Sequence, residues 1–275
     1  MKSYAPKEVA LKKILMPIER LAIAFSGGVD STLLAAVAAK TLGPDNILLI
    51  TAATRFVPEW ELDEARELAD VIGAKHTVVA VGVDNVSELT HNPPDRCYFC
   101  KKAVLRAIAT QAKLQDFDVI ADGSNADDKA GTRPGLKALK EFNVISPLAD
   151  AGFTKKEVRE LSKKMHLPTA TKPAYACLAT RIPYNELLKP ERLKRIEKAE
   201  ALLLPLFTHG VRVRDYLVSG KKVSLALARV EVPEPDMKRA LAPEIRKQII
   251  EKLHKAGYTY VTVDLEALRS GSMDI

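Results

Sequence analysis

Between residues 21 and 146 the chain alternates short apolar runs with longer stretches of helical period. LAIAF (21–25), NILLI (46–50), HTVVAV (76–81), DVIAD (118–122) and NVIS (143–146) are brief and mostly continuous in apolar residues. That is the pattern of parallel strands covered on both faces. Helical stretches lie between them at 31–42, 58–72, 98–113 and 134–141, and an amphipathic stretch at 1–16 leads in. Strand–helix alternation of this kind predicts a doubly wound α/β sheet.

Thr154-Lys-Lys-Glu157 has the spacing of a capping box and predicts a helix running to His166, ended by Pro168. Residues 168–189 carry several prolines and no clear period, which predicts a linker holding Cys177. A second unit follows, with a helix at 190–204, strands near 211–218 and 222–230, a helix at 237–256 and a strand at 258–264. The expected organisation is an α/β domain over 1–167, the linker, and a smaller α+β domain over 190–275 that serves substrate binding or oligomerisation.

Composition adds limits. With 275 residues, 47% of them hydrophobic and 28% charged, the chain can bury a core without disulfide staples. No apolar run reaches the length of a membrane span, and the first residues lack a signal-peptide pattern, so a cytoplasmic protein is expected. Three cysteines cannot all pair with one another. The net charge of +7 is uneven: residues 1–150 carry −2 and residues 151–275 carry +9. A solvated lysine-rich surface explains that as readily as an anionic partner, either a phosphate-bearing substrate or RNA.

The segment AFSGGVDS (24–31) follows the first strand and opens the first internal helix. Gly27 and Gly28 let the backbone turn tightly and bring its N–H groups, with that of Val29, close to an anion. The helix N-terminus adds its positive dipole end. Ser26 and Ser31 offer hydroxyls, and Asp30 can hold the Mg²⁺ that accompanies a nucleotide. A plain tight turn is the bland alternative. This is not a Walker A loop, because Gly-Lys-Ser/Thr is absent. SGGVDS instead resembles the signature of PP-loop ATP pyrophosphatases, with the adenine nucleotide alpha hydrolase-like fold. That resemblance implies cleavage of ATP between the α and β phosphates, with AMP placed on a substrate oxygen.

Cys97 and Cys100 form a C-x-x-C at the start of the helix at 98–113, and Cys177 lies in KPAYACLATRIPY. Structural zinc would need a fourth ligand, for which His91 is the nearest candidate. A redox pair would have a thiol activated at a helix N-terminus. An iron–sulfur cluster usually takes four thiolates, so three would leave one iron open. Buried, inert cysteines are the remaining reading. The residues alone leave these open.

A wider set of motifs covers nearly the whole chain: SGGVDS, DGSNADD (122–128), RPG (133–135), ACLATRIPY (176–184), VRVRDY (211–216) and DLEALRSGS (264–272). Together they resemble the LarE family. That family makes the nickel-pincer nucleotide cofactor, adenylating carboxylates of pyridinium-3,5-biscarboxylic acid mononucleotide and replacing oxygen by sulfur. Cys177 matches the position of a cysteine that some members sacrifice as sulfur donor. Cys97 and Cys100 match the extra pair of members that hold a [4Fe–4S] cluster whose open iron carries an added sulfide. The resemblance therefore implies the cluster-dependent type, an ATP-dependent sulfurtransferase using ATP, Mg²⁺ and a sulfide donor. It also implies a homo-oligomer, a hexamer among the possibilities. One departure is Asn185, where the pattern calls for glycine.

Further candidates surround these motifs. Asp122, Ser124 and Asn125 follow the fourth strand at the edge where doubly wound sheets bind ligands, and Arg133 can meet a phosphate. An Asx-rich turn is the bland reading there. Thr51 and Arg55 follow the second strand at the same edge. Arg212 and Arg214 alternate along a strand and so share a face, and two arginines can grip a phosphate. Arg181 lies four residues after Cys177. Glu200 and Glu231 match acidic positions near the family's site, and Arg269 is a further phosphate candidate. Solvated charge is the alternative for each. The rival activity is a tRNA thiolase, against which stand the 5% aromatic content and the lack of an RNA-binding module. A zinc-bearing amidase or synthetase and a non-catalytic nucleotide-binding regulator complete the field.

Overall fold

The protein is described by a computed structural model covering residues 4–129, 135–173, 175–219 and 224–269. It divides into two compact units. The first comprises residues 1–86 and 95–174, the second residues 87–94 and 175–275. The segment read as a linker, 168–189, is thus shared between them.

In the first unit, α1 (Ala5–Leu15) leads to a four-stranded parallel sheet of β1 (Leu21–Ala24), β2 (Ile47–Ala53), β3 (Lys75–Ala80) and β4 (Val119–Ala121), in the order β3-β2-β1-β4. Strand side chains alternate between faces, and both faces are apolar. Leu21, Ile23, Ile47 and Leu49 belong to a core with α1, α2 (Val29–Leu42) and α3 (Glu59–Ile72). Ala22, Leu48 and Ile50 belong to another with Ile108 and Ala112 of α4 (Arg96–Lys113). This is the doubly wound sheet expected from the apolar runs. Four short helices follow: α5 (Ala126–Lys129), α6 (Gly135–Glu141), α7 (Pro147–Asp150) and α8 (Lys155–Lys164). Thr154 and Glu157 form the reciprocal capping box that starts α8.

The expected strand at 143–146 is reduced to a single parallel bridge between Ala121 and Ile145. Asn143 has a left-handed backbone (φ 52°) and Pro147 opens α7, so the extended run between them is too short to build a ladder.

The second unit holds α9 (Pro190–Leu203), β5 (Arg212–Ser219), β6 (Ser224–Glu231), α10 (Glu234–Leu241), α11 (Pro243–Ala256) and β7 (Tyr260–Val263). Its sheet order is β5-β6-β7, with β5/β6 antiparallel and β6/β7 parallel. Val213, Ala228 and Val230 pack with Leu203, Ile249 and Leu253 of the helices. The helix expected over 237–256 is two helices. Pro243 lacks an N–H, and Ala242 before it is extended (ψ 137°), so the chain breaks there.

Residues 87–94 join this unit through Asn92, which is fully buried. Its side-chain amide donates to the carbonyls of Ala179, Ile182 and Pro183 at 3.3, 2.7 and 3.0 Å. Asn185 donates its backbone N–H to the Asn92 carbonyl at 3.2 Å. With φ 64°, Asn185 takes the left-handed turn that glycine would otherwise supply, which asparagine tolerates. Among the described residues no helix is long and apolar enough to cross a membrane.

Candidate nucleotide and substrate sites

Strand order reverses between β1 and β4, and crevices at such switch points bind ligands at the carboxyl ends of the strands. The loop after β1 is SGGVDS. Gly27 adopts φ 66°, and Gly28 stands as the N-cap of α2 with no side-chain cap. The first N–H groups of α2 therefore have no capping side chain, which suits an anion. The hydroxyls of Ser26 and Ser31 lie 3.2 Å apart across the loop. Ser31 Oγ donates to the Gly28 carbonyl at 3.2 Å, and the Gly28 N–H donates to Ser26 Oγ at 3.3 Å.

The loop after β4 closes on this one. A Cβ built on Gly123 would lie 2.8 Å from the Ser31 nitrogen and 3.0 Å from its Cα, so only glycine permits the approach. Asp122 is buried and saturated. It accepts from the Ser124 N–H (3.2 Å), Ser124 Oγ (2.6 Å), Ser146 Oγ (2.7 Å) and Lys101 Nζ (3.1 Å). Asn125 donates to Asp30 Oδ1 at 3.0 Å, and Lys155 pairs with the other Asp30 oxygen. Lys172 donates to the Gly27 carbonyl at 3.0 Å and pairs with Glu64 at 2.7 Å. None of these three lysines stands out in the sequence. Lys101 directly follows the C-x-x-C and Lys155 opens the capping-box helix, but nothing in the chain's pattern tells which loop they reach.

Thr51 is buried and faces inward, donating to the Phe25 carbonyl at 2.7 Å. Its one hydroxyl proton is used there, so the 2.8 Å contact with His76 has the imidazole Nε2–H as donor. Arg55 pairs with Asp84 and lies over the Phe56 ring. Burial, followed by the Arg66 charge, holds the His76 pKa below its ordinary 6.5, with Asp70 opposing. The unfolded chain then takes up a proton near 6.5 while the folded chain does so only at lower pH. The stability supplied by neutral His76 is complete above 6.5 and erodes as pH falls from there toward the folded value. Denaturant unfolding of wild type and His76→Gln at about pH 7.5 and about pH 5.5 should show the steeper loss in the wild type; parallel losses would refute it.

Cys97 and Cys100 lie about one turn apart at the start of α4, the former exposed and the latter half-buried. Cys177 is exposed and begins a 3-10 turn, Leu178–Arg181, in the second unit. None is half of a disulfide. His91 is exposed and belongs to the second unit. Among the described residues no three His, Cys, Asp or Glu side chains are gathered as metal ligands.

The second unit's charged residues form a buried network. Arg181 is 2% exposed and grips both oxygens of Glu200, with Nε at 2.8 Å and Nη2 at 2.9 Å. Its Nη1 donates to the Ala176 carbonyl at 2.8 Å, one residue before Cys177. Arg214 pairs with Glu231 at 2.8 Å and donates to the Thr180 carbonyl at 2.6 Å. Arg229 takes the other Glu231 oxygen at 3.0 Å. Arg212 shares the Arg214 side of β5, and its guanidinium pairs with no carboxylate among the described residues. Burial, then the charges of Arg181 and Arg214, lower its pKa to about 10. It stays protonated at neutral pH, and because Arg229 also pairs with Asp264 at 3.5 Å, Arg212 carries the network's surplus positive charge. Arg269 is largely exposed and pairs with Glu266 at 3.1 Å. Arg133 lies outside the described residues.

A parallel sheet with a glycine–serine loop at its switch point is the fold of an α/β protein of the PP-loop class. Sequence comparison agrees. A family of unknown function, DUF7411, matches residues 19–176. An uncharacterized protein, slr1717, of Synechocystis is 35% identical over 96% of this chain and 95% of its own length. The pyridinium-3,5-bisthiocarboxylic acid mononucleotide synthase of Lactiplantibacillus plantarum is 32% identical over 100% of this chain and 96% of its own. An argininosuccinate synthase of Natronomonas pharaonis is 26% identical over 54% of this chain and 40% of its own length. The chain belongs to the LarE family of ATP-using PP-loop synthases.

Proposed function

We propose that this chain adenylates a carboxylate of a mononucleotide and replaces a carboxylate oxygen by sulfur, as the name of the Lactiplantibacillus relative describes for its product. The observation that carries this reading is the fastening of the C-x-x-C helix to the nucleotide loop. Lys101, next to Cys100, reaches Asp122 at 3.1 Å, and Asp122 organises the loop packed against SGGVDS. The C-x-x-C thiols and the SGGVDS loop thus lie at one sheet edge, which supports the reading.

The uncapped start of α2, with Ser26, Gly27, Gly28, Val29 and Ser31, binds the ATP phosphates. Asp30 already carries one cation, Lys155, and Mg²⁺ would take that place. Ser124 and Asn125 line the opposing loop, while Thr51 and Arg55 shape the adenosine side. Arg212, the surplus cation, takes the substrate phosphate. Arg181 and Arg214, tied to Glu200 and Glu231, hold the loop around Cys177 and the strand carrying Arg212. An acyl-adenylate is reactive enough that these residues need only place the carboxylate oxygen in line with the α-phosphate and keep water out.

Three thiols, two of them one helical turn apart and accessible, suit a [4Fe–4S] cluster in their chemistry. Held by Cys97, Cys100 and Cys177, such a cluster would supply the sulfide. A cytoplasmic homo-oligomer completes the reading. The tRNA thiolase alternative rests on the positive charge of the C-terminal half. However, Arg181, Arg192, Arg195, Arg214 and Arg229 are all paired with carboxylates, so much of that charge faces inward.

Protein purified without oxygen tests the reading. Wild type should carry iron and sulfide and form AMP and pyrophosphate from ATP only with the carboxylate substrate. Cys97→Ser, Cys100→Ser and Cys177→Ser should each lose most of the iron. Colourless, zinc-loaded wild type would overturn the cluster, and loss of the elements of H₂S at Cys177 after turnover would assign the sacrificial route instead. Salt-steep binding of tRNA would favour the thiolase.

A further inference from the structure

The two glycines of the phosphate loop make its central peptide the easiest in the site to flip, since neither residue has a Cβ to restrict it. Anion binding requires one orientation, with the N–H facing inward and the carbonyl outward. The carbonyl and N–H of a trans peptide point in opposite directions. Whatever holds the Gly27 carbonyl therefore aims the Gly28 N–H. That N–H already faces the concave side, where it meets Ser26 Oγ at 3.3 Å. From the convex side, Lys172 Nζ meets the Gly27 carbonyl at 3.0 Å.

Lys172 is itself held. Arg159 of α8 donates to the carbonyls of Ala170 and Lys172, both at 2.9 Å, and clamps the backbone that carries the lysine. Glu64 of α3 pairs with its ammonium, and the next residue, Ala65, lies 3.3 Å from where a Gly27 Cβ would stand. The outer wall of the loop is thus α3 and the Lys172 ammonium together. The Lys172 side chain is 13% exposed and that of Glu64 is 44% exposed. The Glu64 oxygen that takes the ammonium is buried although the side chain as a whole is partly exposed, and a charge-assisted bond from the ammonium to a carbonyl is among the stronger kinds.

We propose that Lys172 is a positioning residue that fixes the Gly27–Gly28 peptide in its anion-binding orientation. This rests on the reading of SGGVDS as the nucleotide-phosphate loop. Lys172 touches neither substrate nor metal in this role; it acts through the Gly27 carbonyl.

The test compares Lys172→Met, Lys172→Arg and Glu64→Gln by calorimetric binding of Mg²⁺–pyrophosphate and of Mg²⁺–ATP, with thermal midpoints as a check on folding. Lys172→Met should weaken both ligands by about 10- to 100-fold, the loss set by one charge-assisted bond. Lys172→Arg keeps a charged donor and should recover part of the affinity. Glu64→Gln removes the ion pair but leaves the ammonium on the carbonyl, and should stay within about twofold of wild type. Equal losses in Lys172→Met and Glu64→Gln would overturn the proposal, because the ion pair to α3 would then be the cause. Unchanged affinity in Lys172→Met would overturn it as well. If wild type binds neither ligand, the phosphate-loop reading falls and takes this inference with it.

Discussion

Replacing Gly123 by alanine should reduce AMP formation by about 100-fold, the cost of displacing a reacting group by about 1 Å. The added Cβ would stand 2.8 Å from the Ser31 nitrogen, 3.0 Å from its Cα and 3.2 Å from the Asp30 carbonyl carbon. All three are backbone atoms at the start of α2, so no side chain can swing away. Either the loop after β4 retreats, carrying Asp122 and Asn125 with it, or the phosphate loop deforms. Retreat would break the 3.0 Å bond from Asn125 to Asp30 and withdraw the donor that orients the loop carboxylate. Overpacking of this kind costs about 1–3 kcal/mol, so the variant should remain folded. Gly82→Ala is the control, because its Cβ would meet only the flexible end of Asn85 at 3.2 Å. Steady-state AMP release with thermal unfolding of both variants decides. Near-normal turnover in Gly123→Ala would mean that the two loops need not touch.

How far the sequence foretold this site follows from what a local pattern can carry. The apolar runs at 21–25, 46–50, 76–81 and 118–122 became strands because both sheet faces are covered, and a continuous run records that. The run at 143–146 looks the same but is pinched between a left-handed Asn143 and Pro147. The helix expected over 237–256 breaks at Ala242-Pro243, because Pro243 lacks the N–H that a continuous helix would use there. The glycine turn that opens α2 was legible because one short segment contains it. Lys101, Lys155 and Lys172 were not, since each reaches its loop across 21, 125 or 145 residues of chain. Alternation along β5 did put Arg212 and Arg214 on one face. It carried no sign that Glu231 on the neighbouring strand takes up the second and that the first pairs with no carboxylate among the described residues. The divided membership of residues 87–94 shows in the buried Asn92 amide and in the Asn92 and Thr90 carbonyls, which accept from Asn185 and Leu188, and no periodicity marks these.

Arg181→Met should destabilise the second unit by about 3–5 kcal/mol, the usual cost of stripping one partner from a buried ion pair. Glu200 is 5% exposed and, among the described residues, would keep the Val213 N–H, at 2.9 Å, to hold its charge. The carbonyl of Ala176 would lose its guanidinium donor at the same time. Arg181→Lys keeps the charge but not the planar fork that binds both Glu200 oxygens, so its loss should be smaller. The double variant Arg181→Met/Glu200→Gln should recover part of the loss, since the stranded carboxylate is then gone. Denaturant unfolding of wild type, Arg181→Met, Glu200→Gln and the double variant gives the coupling. Additive losses in the double variant would show that Arg181 acts through the Cys177 loop alone rather than through Glu200. On the proposed cluster reading, the iron bound per folded molecule would separate the two consequences of the substitution. Because Arg181 fixes the carbonyl one residue before Cys177, that ratio should fall in Arg181→Met even under conditions where the variant remains fully folded. In Glu200→Gln, where the guanidinium can still hold the Ala176 carbonyl, it should fall less.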